Sequence, residues 1–286
     1  MINPVLHTTT AREIELYLRS PAHAVALLGE RGIGKRYVAT HLATQLLKVT
    51  DDKLQSYPYF IAVEPDEKGV IGIEQARSMV SKLQLKTTGT NPVRRVVLID
   101  QAETLTREAQ NALLKAIEEP PADTVIICTI ADRSTILPTV LSRLQVLTVH
   151  RPSAAELMQQ FTTDGFDEVA VNQLLKMSGG LPGLTYALLT NQERHPLVAA
   201  LNDAKVLLKS DSFDRLRQVD AIASSKRSGD IVQAIGYIAD VALQTGATEA
   251  GVRRWSQIQA AAYDAAQQLA ANANAKLVLT NLFLHV

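Results

Sequence analysis

Runs of consecutive apolar residues alternate with amphipathic stretches over the first half of the chain. Four runs rich in β-branched residues are typical of strands buried on both faces, and they lie at 24–28, 96–99, 124–129 and 145–149. Helical patterns occupy the intervals between several of these runs. Strands that alternate with helices in this way predict a parallel α/β sheet flanked by helices.

The clearest helical pattern lies between the second and third predicted strands. Its apolar residues recur at i, i+3, i+4, i+7 and i+8 from Ala109, which marks one buried face. Thr106 is a suitable N-cap, and Pro120 and Pro121 end the helix. Shorter helices are predicted at 10–19 and 37–48.

The second half of the chain shows no strand pattern. Ser153 and Glu156 form a capping box that opens the first of three short predicted helices, and the polar residues 191–196 follow as a hinge. Five longer patterns rich in Ala and Leu then predict a helical bundle, at 197–209, 213–225, 231–245, 249–271 and 275–284.

We therefore predict three domains along the chain. They are an α/β P-loop domain at 1–151, a small helical lid at 152–191 and an all-α collar domain at 192–286. The alanine-rich face at 260–273 has two interpretations, the core of the bundle and a contact between subunits.

Composition narrows the classes of function. The 286 residues carry 29 Lys and Arg against 29 Asp and Glu, so no overall positive field attracts the chain to nucleic acid or to a membrane surface. The single cysteine, Cys128, lies in an apolar strand, which excludes a disulfide framework within the chain. The N-terminus has no signal pattern and no apolar run approaches the length of a bilayer span, so we expect a cytoplasmic protein.

The first predicted strand leads into the run GERGIGKR, which fits the phosphate-binding pattern G-x-x-x-x-G-K. Gly29, Gly32 and Gly34 would let backbone N–H groups approach a phosphate, and Lys35 would add a positive charge. The next position is Arg36, where phosphate-hydrolysing sites use a Ser or Thr hydroxyl to hold Mg²⁺. Two interpretations follow: the loop still binds a nucleotide or another anion, or it is retained for the fold.

The end of the second predicted strand departs from the hydrolytic pattern as well. Asp100 occupies the place of the acid that ligates Mg²⁺ in such sites, but the following residue is Gln101, whose amide cannot act as a base. Two independent departures favour a degenerate nucleotide site, made of Gly29, Gly32, Gly34, Lys35, Arg36 and Asp100.

Several motifs together carry a family resemblance. They are DQAE at 100–103, QNALLK at 110–115, EEPP at 118–121 and LPTVLSR at 137–143. With this spacing, the chain resembles the AAA+ subunits of the bacterial DNA polymerase III clamp loader. Among these subunits, the chain is most similar to the delta-prime type, with which it shares two further runs, YPYF at 57–60 and GIEQAR at 72–77. The resemblance covers about residues 24–190 and implies an AAA+ domain followed by a helical lid and a collar.

The resemblance implies a role for Arg143 as an arginine finger, with Ser142 beside it, that reaches into the ATP site of a neighbouring subunit. The alternative is an arginine that pairs with a surface acid. Asn111 and Lys115, one turn apart on the polar face of the central helix, are candidates for contact with DNA phosphates or a partner. Four basic residues are weaker candidates for DNA contact and otherwise belong to the solvated surface: Lys82, Lys86, Arg94 and Arg95.

The chain also departs from the family pattern. Residues 48–58 contain no cysteine where the family usually inserts a four-cysteine zinc module, so no metal is predicted. Leu144 replaces the cysteine of the family's Ser-Arg-Cys motif. The lid run GGLPGL at 179–184 lacks the phosphate-sensing arginine of the ATPase relatives.

The resemblance therefore implies a delta-prime-like subunit that hydrolyses little ATP itself and supplies Arg143 to an adjacent ATPase during sliding-clamp loading in replication. The implied partners are gamma/tau-like and delta-like subunits in a hetero-pentameric ring, and through the complex the sliding clamp and primer-template DNA. No cofactor is required, zinc is not expected, and residual ATP, ADP or phosphate at the P-loop stays open.

Two alternatives belong to other classes of function. A gamma-like AAA+ ATPase would bind and hydrolyse ATP itself with Lys35 and Asp100, against which Arg36 and Gln101 argue. A standalone AAA+ scaffold outside replication would keep the fold but would have no reason to keep Ser142 and Arg143.

Overall fold

A computed structural model describes residues 4–66, 68–190, 196–225, 227–244, 249–271 and 273–286. The chain divides into two compact units, Met1–Leu157 and Met158–Val286. The three predicted domain ranges stay predictions, and the proposed hinge lies almost entirely outside the described residues.

A parallel sheet forms the centre of the first unit. Its strands are β1 (Ala24–Leu28), β2 (Phe60–Val63), β3 (Arg95–Ile99), β4 (Thr124–Ile130) and β5 (Gln145–Thr148). Their order across the sheet is β2–β3–β4–β1–β5, and every neighbouring pair is parallel. All residues of β3 and β4 are buried, as expected of central strands with apolar residues on both faces.

Helices cover both faces of this sheet. The helices of the first unit are α1 (Thr8–Arg19), α2 (Lys35–Leu47), α3 (Asp51–Leu54), α4 (Ile73–Leu83), α5 (Arg107–Glu118) and α6 (Pro138–Leu141). Helix α7 (Ala154–Thr163) contains the boundary between the two units. Met79 of α4 and Leu113 of α5 pack in one core cluster with alternate strand residues such as Val97. The opposite face of the strands packs against α2, because successive strand residues point to opposite sides.

The α/β class and the predicted strands of the first unit are confirmed, with ends that differ by one residue. Strand β2 and helix α4 were not predicted from the sequence. β2 is a four-residue edge strand with only partial burial, so its apolar signal is short. Its position next to β3 nevertheless brings Glu64, the residue after β2, to the edge of the sheet where Asp100 lies.

Helix α5 begins and ends where the sequence predicts. The Thr106 hydroxyl accepts a hydrogen bond from the backbone N–H of Ala109 at 3.2 Å, which confirms its role as N-cap. Leu113 and Ile117 are buried against the sheet, whereas Glu118, the last residue of the helix, is exposed. The polar face of α5 therefore lies at the surface of the first unit.

The described part of the second unit is helical. After α7 it contains α8 (Glu168–Met177), α9 (Pro182–Leu189), α10 (Pro196–Lys209), α11 (Ser212–Ser224), α12 (Ser228–Gln244), α13 (Glu249–Ala270) and α14 (Ala275–His285). Within the described residues, these helices confirm the helical patterns predicted for this half of the chain. Ala262 and Ala265 of α13 are buried and Ala260 and Ala266 are exposed, so the alanine-rich face contributes in part to the core of this unit.

Two further sequence features can be located. Cys128 is buried in β4, where burial raises the pKa of its thiol to about 12, so it is a core thiol as predicted. Within the described ranges, no helix has both the length and the apolar character that a bilayer span requires.

The cap of α5 provides a test of how this helix is stabilised. We expect Thr106→Ala to lower the free energy of unfolding by about 1 kcal/mol, because the N–H of Ala109 loses its acceptor. Thr106→Ser, which keeps a hydroxyl, should stay close to the parent chain. Urea unfolding measures both variants, and equal stability of Thr106→Ala and Thr106→Ser would contradict the capping role.

Candidate functional site

The loop between β1 and α2 has the backbone of a phosphate-binding loop. Gly32 and Gly34 have φ values of 83° and 92°, in the left-handed region that side chains with a Cβ rarely adopt. Gly34 is also the N-cap of α2, so the loop leads directly into a helix N-terminus. The two glycines are therefore required by the backbone itself, whether or not the loop binds an anion.

Lys35 turns back toward its own loop. Its Nζ donates hydrogen bonds to the backbone oxygens of Gly29 at 2.7 Å and Glu30 at 2.9 Å. The residue is buried, and burial lowers the pKa of the ammonium group from 10.5 to about 8. Lys35 thus stabilises the closed shape of the loop through two carbonyl groups of the same chain.

Two contacts fix the loop to the end of β5. Arg151 donates from Nε to Oε1 and from Nη2 to Oε2 of Glu30, both at 2.8 Å, which is a bidentate ion pair. A Cβ on Gly29 would lie 2.9 Å from the backbone oxygen of Val149, closer than such contacts allow. These contacts favour the interpretation that the loop is retained for the fold.

Arg36, the residue after Lys35, forms ion pairs with two acids at the edge of the sheet. Nη1 of Arg36 lies 3.2 Å from Oδ2 of Asp100, and Nη2 pairs with Oε1 of Glu64. The hydrogen bond to Glu64 is the largest cause that raises the pKa of Arg36 above its ordinary value, so its charge is fixed. The Asp100 side chain is only 7% exposed, so the guanidinium neutralises a carboxylate that water barely reaches.

The other oxygen of Asp100 is also occupied. The Thr129 hydroxyl, at the end of β4, donates to Oδ1 of Asp100 at 2.6 Å and accepts the backbone N–H of Gln101 at 2.8 Å. Gln101 has a φ of 54°, so the chain turns sharply just after the acid. Asp100 is therefore held by side chains on both of its oxygens.

Magnesium does not fit this arrangement. A hydrolytic P-loop site holds the ion between the hydroxyl that follows the lysine and the acid at the strand end. In this chain those two positions are Arg36 and Asp100, and they form an ion pair with each other. Among the described residues, no group of three or more His, Cys, Asp and Glu side chains could hold a metal ion.

Arg143 lies at the surface, between α6 and β5. Its Nη2 is 2.5 Å from Oε1 of Glu118, and its Nη1 donates to the backbone oxygen of Thr139 at 2.6 Å. A longer contact of 3.4 Å joins Nη1 to the hydroxyl of Ser142. The guanidinium of Arg143 therefore has the neighbouring Ser142 hydroxyl and the Glu118 carboxylate as side-chain partners.

A buried glutamine holds the segment that carries Arg143. Gln110 of α5 accepts the backbone N–H of Leu137 at 2.7 Å and donates to the backbone oxygen of Thr135 at 3.1 Å. Val140 and Leu144 pack in the same core cluster as α5. Arg143 is thus presented by a segment fixed to the core, and Leu144, which replaces the cysteine of the family motif, contributes apolar packing there.

The remaining basic candidates divide into exposed and structural residues. Asn111 and Lys115 are exposed on α5, on the same face as Glu118, and their predicted role in binding stays a prediction. Arg94 pairs with Asp123 at 3.0 Å. Arg95 is 2% exposed and donates to the backbone oxygens of Leu83 and Leu85, so its assignment to the solvated surface or to DNA contact was wrong.

Three residues at these sites were not predicted from the sequence. Glu64, Thr129 and Glu118 pair with Arg36, Asp100 and Arg143, respectively. Of the three, only the pairing of Glu118 could have been expected from neighbouring residues. A carboxylate in the last turn of a helix lies at the negative end of the helix dipole, where a nearby cation is stabilising. Glu64 and Thr129 become visible only once the order of the strands is known.

Comparison of the sequence with known proteins gives two kinds of match. The family described as DNA polymerase III, delta subunit, matches residues 13–153. DNA polymerase III subunit delta′ of Pseudomonas aeruginosa is 33% identical over 206 residues, which are 66% of this chain and 62% of that protein. DNA polymerase III subunit gamma of Buchnera aphidicola is 35% identical over 150 residues, which are 48% of this chain and 41% of that protein. The chain thus spans less than two thirds of either relative.

Comparison of the structure gives a match over the full length. A DNA polymerase III gamma subunit-related protein of Thermotoga maritima superposes with a TM-score of 0.51 at 19% identity, covering 97% of this chain and 98% of that protein. At this identity the likeness establishes the fold, an α/β domain followed by helices. It agrees with the AAA+ architecture that the motifs implied.

The buried Lys35 predicts a dependence of stability on pH. Its pKa is about 8 in the folded chain and 10.5 when exposed, so between these values the unfolded chain binds more protons and stability rises with pH. Relative to Lys35→Met, which has no titrating group, the free energy of unfolding should rise by about 2 kcal/mol between about pH 8 and about pH 10. Denaturant unfolding of both chains at each pH measures this difference in the free energy of unfolding. A difference that does not change with pH would contradict a lowered pKa of Lys35 in the folded chain.

Proposed function

The chain is a relative of the delta-prime, gamma and tau subunits of DNA polymerase III, and from this premise we propose that it is a delta-prime-type subunit of the clamp loader. In this proposal its own nucleotide site does not hydrolyse ATP. It contributes Arg143 to the ATP site of a neighbouring subunit during loading of the sliding clamp. The two statements rest on different parts of the first unit.

The observation that carries the proposal is the ion pair between Arg36 and Asp100. Metal-dependent phosphoryl transfer needs Mg²⁺ to neutralise charge that develops on the phosphate oxygens. The guanidinium lies 3.2 Å from the acid that would ligate the ion, and it is covalently tied to α2. Gln101, which follows the acid, offers no base for the attacking water. A site with these residues supports the fold rather than turnover.

The presentation of Arg143 supports the second statement. An arginine that acts in another subunit must be exposed and rigidly placed, because its effect depends on reaching the transferred phosphoryl group. Arg143 is 38% exposed, and the segment around it is fixed by Gln110 and by packing in the core. Its positive charge would neutralise the developing negative charge in the neighbour's site.

The partners follow from the same proposal. A gamma- or tau-like ATPase would receive Arg143, and a delta-like subunit would complete a five-membered ring in which the predicted domain at 192–286 forms the collar. The exposed face of α5 with Asn111 and Lys115 offers an amide and a positive charge to primer-template DNA or to a partner's acidic surface. The zero net charge of the chain suits a subunit that meets DNA through the complex.

A second candidate function is a gamma-like ATPase. It is favoured by the intact backbone of the P-loop, where Gly32 and Gly34 keep their left-handed conformations, and by the relatives named gamma and tau. It would require Arg36 to leave Asp100 so that a metal ion could enter.

The role of Arg143 predicts a loss of activity without a loss of assembly. In a loader reconstituted with its ATPase and delta-like subunits, Arg143→Ala should reduce DNA-stimulated ATP hydrolysis several-fold. A single finger contributes about 10³–10⁵ to the rate at its own site, but other sites in the ring dilute the loss. ATPase rate and clamp loading are measured on complexes isolated by gel filtration.

A matched control for this variant is Arg133→Ala. It removes one positive charge from an exposed residue ten positions earlier, outside the contacts of Arg143, and should leave the rate unchanged. An Arg143→Ala complex that is fully assembled and hydrolyses ATP at the parent rate would mean that Arg143 is a surface ion-pair residue, and the proposed role would fail.

A further inference from the structure

The geometry around Arg143 points to a second residue that governs the proposed arginine finger. We propose that Glu118 is a positioning residue that holds Arg143 against its own chain and releases it when phosphate groups of a neighbouring subunit compete for the guanidinium. This inference rests on the proposed function of Arg143. It goes beyond that function because it makes the availability of the finger depend on a residue of α5.

The guanidinium of Arg143 already has partners on its own chain. Nη2 pairs with Glu118 at 2.5 Å, and Nη1 donates to the backbone oxygen of Thr139 at 2.6 Å. These acceptors lie on the same chain, and one of them is an anion. A cation paired with a carboxylate presents a much smaller net field to a second anion. The paired arginine is therefore a poor stabiliser of negative charge elsewhere.

The position of Glu118 at the end of a helix explains why the pair forms. Glu118 is the last residue of α5, where the helix dipole disfavours a carboxylate and favours a cation. Lys115 lies three residues earlier on the same face, yet the structure pairs Glu118 with Arg143. Arg143 neutralises the acid at this helix end, so the folded subunit retains its arginine in a defined place.

The ion pair between Arg143 and Glu118 is weak enough for an anion to compete with it. The side chains of Arg143 and Glu118 are 38% and 41% exposed, and pairs with this exposure favour the bound state by no more than about fivefold. A triphosphate carries several charges and can take two parallel hydrogen bonds from one guanidinium, so it can displace a single carboxylate oxygen. The contact is therefore weak enough to be released and strong enough to reduce the free population of the finger.

Chemical modification of the isolated chain measures this population directly. Phenylglyoxal reacts with guanidinium groups, and peptide mass spectrometry identifies the modified arginine. We expect Glu118→Gln to increase the rate of modification at Arg143 by up to about fivefold, since the carboxylate partner is lost. Glu119→Gln is the matched control: it makes the same change of charge at the next residue, which forms no ion pair with Arg143, and should leave the rate unchanged.

Kinetics of the reconstituted loader show whether the released arginine acts. Glu118→Gln should raise kcat for ATP by up to about fivefold without a change in KM, because a finger acts on the transferred phosphoryl group in the transition state. The double variant Glu118→Gln/Arg143→Ala should match Arg143→Ala alone. Glu119→Gln should match the parent complex.

The outcomes separate this inference from the function on which it rests. If Arg143→Ala leaves the ATPase rate intact, the proposed function fails, and the modification rates still decide whether Glu118 holds Arg143. If Arg143→Ala lowers the rate while Glu118→Gln and Glu119→Gln behave alike in both assays, the positioning role of Glu118 is overturned. A fall in kcat for Glu118→Gln would overturn it as well, since it would mean that the pair supports the finger.

Discussion

A carboxylate buried at the end of a parallel strand must be neutralised, and Asp100 meets this requirement with side chains of its own unit. The acid accepts the Thr129 hydroxyl on one oxygen and the Arg36 guanidinium on the other. Phosphate-hydrolysing sites use a metal ion for this purpose, which arrives and leaves with the nucleotide. Here the cation belongs to helix α2, so the charge of Asp100 is balanced within the fold itself.

Arg36 and Arg143 differ in the burial of the acid that each one pairs with. Arg36 neutralises a buried acid, and loss of a partner from a buried charge is among the most costly changes in a protein. Arg143 pairs with an exposed acid, where such a pair contributes at most about 1 kcal/mol. The first arginine is therefore part of the structure, whereas the second can be exchanged for another anion. This difference is what a subunit needs if it acts in a neighbour's site rather than in its own.

Local sequence patterns were sufficient for much of the fold. The apolar run before Asp100 and the capped pattern of α5 predicted both elements closely, because burial and capping are properties of adjacent residues. The short edge strand β2 was missed, and with it Glu64 as a partner of Arg36. Thr129 and the pairing of Glu118 with Arg143 were missed for a similar reason. These contacts join residues 25 or more positions apart, and the sheet order and the packing of α5 bring them together.

The most direct test of the account is whether the nucleotide site can hold a metal ion. Electron paramagnetic resonance of Mn²⁺ with ADP measures metal bound at a P-loop, and Mn²⁺ is a close substitute for Mg²⁺ in oxygen-rich sites. The account predicts no stoichiometric Mn²⁺ in the parent chain, and bound Mn²⁺ in Arg36→Thr, where a hydroxyl follows the lysine and Asp100 is released. One Mn²⁺ bound with ADP per parent chain would contradict the claim that Arg36 takes the place of the metal.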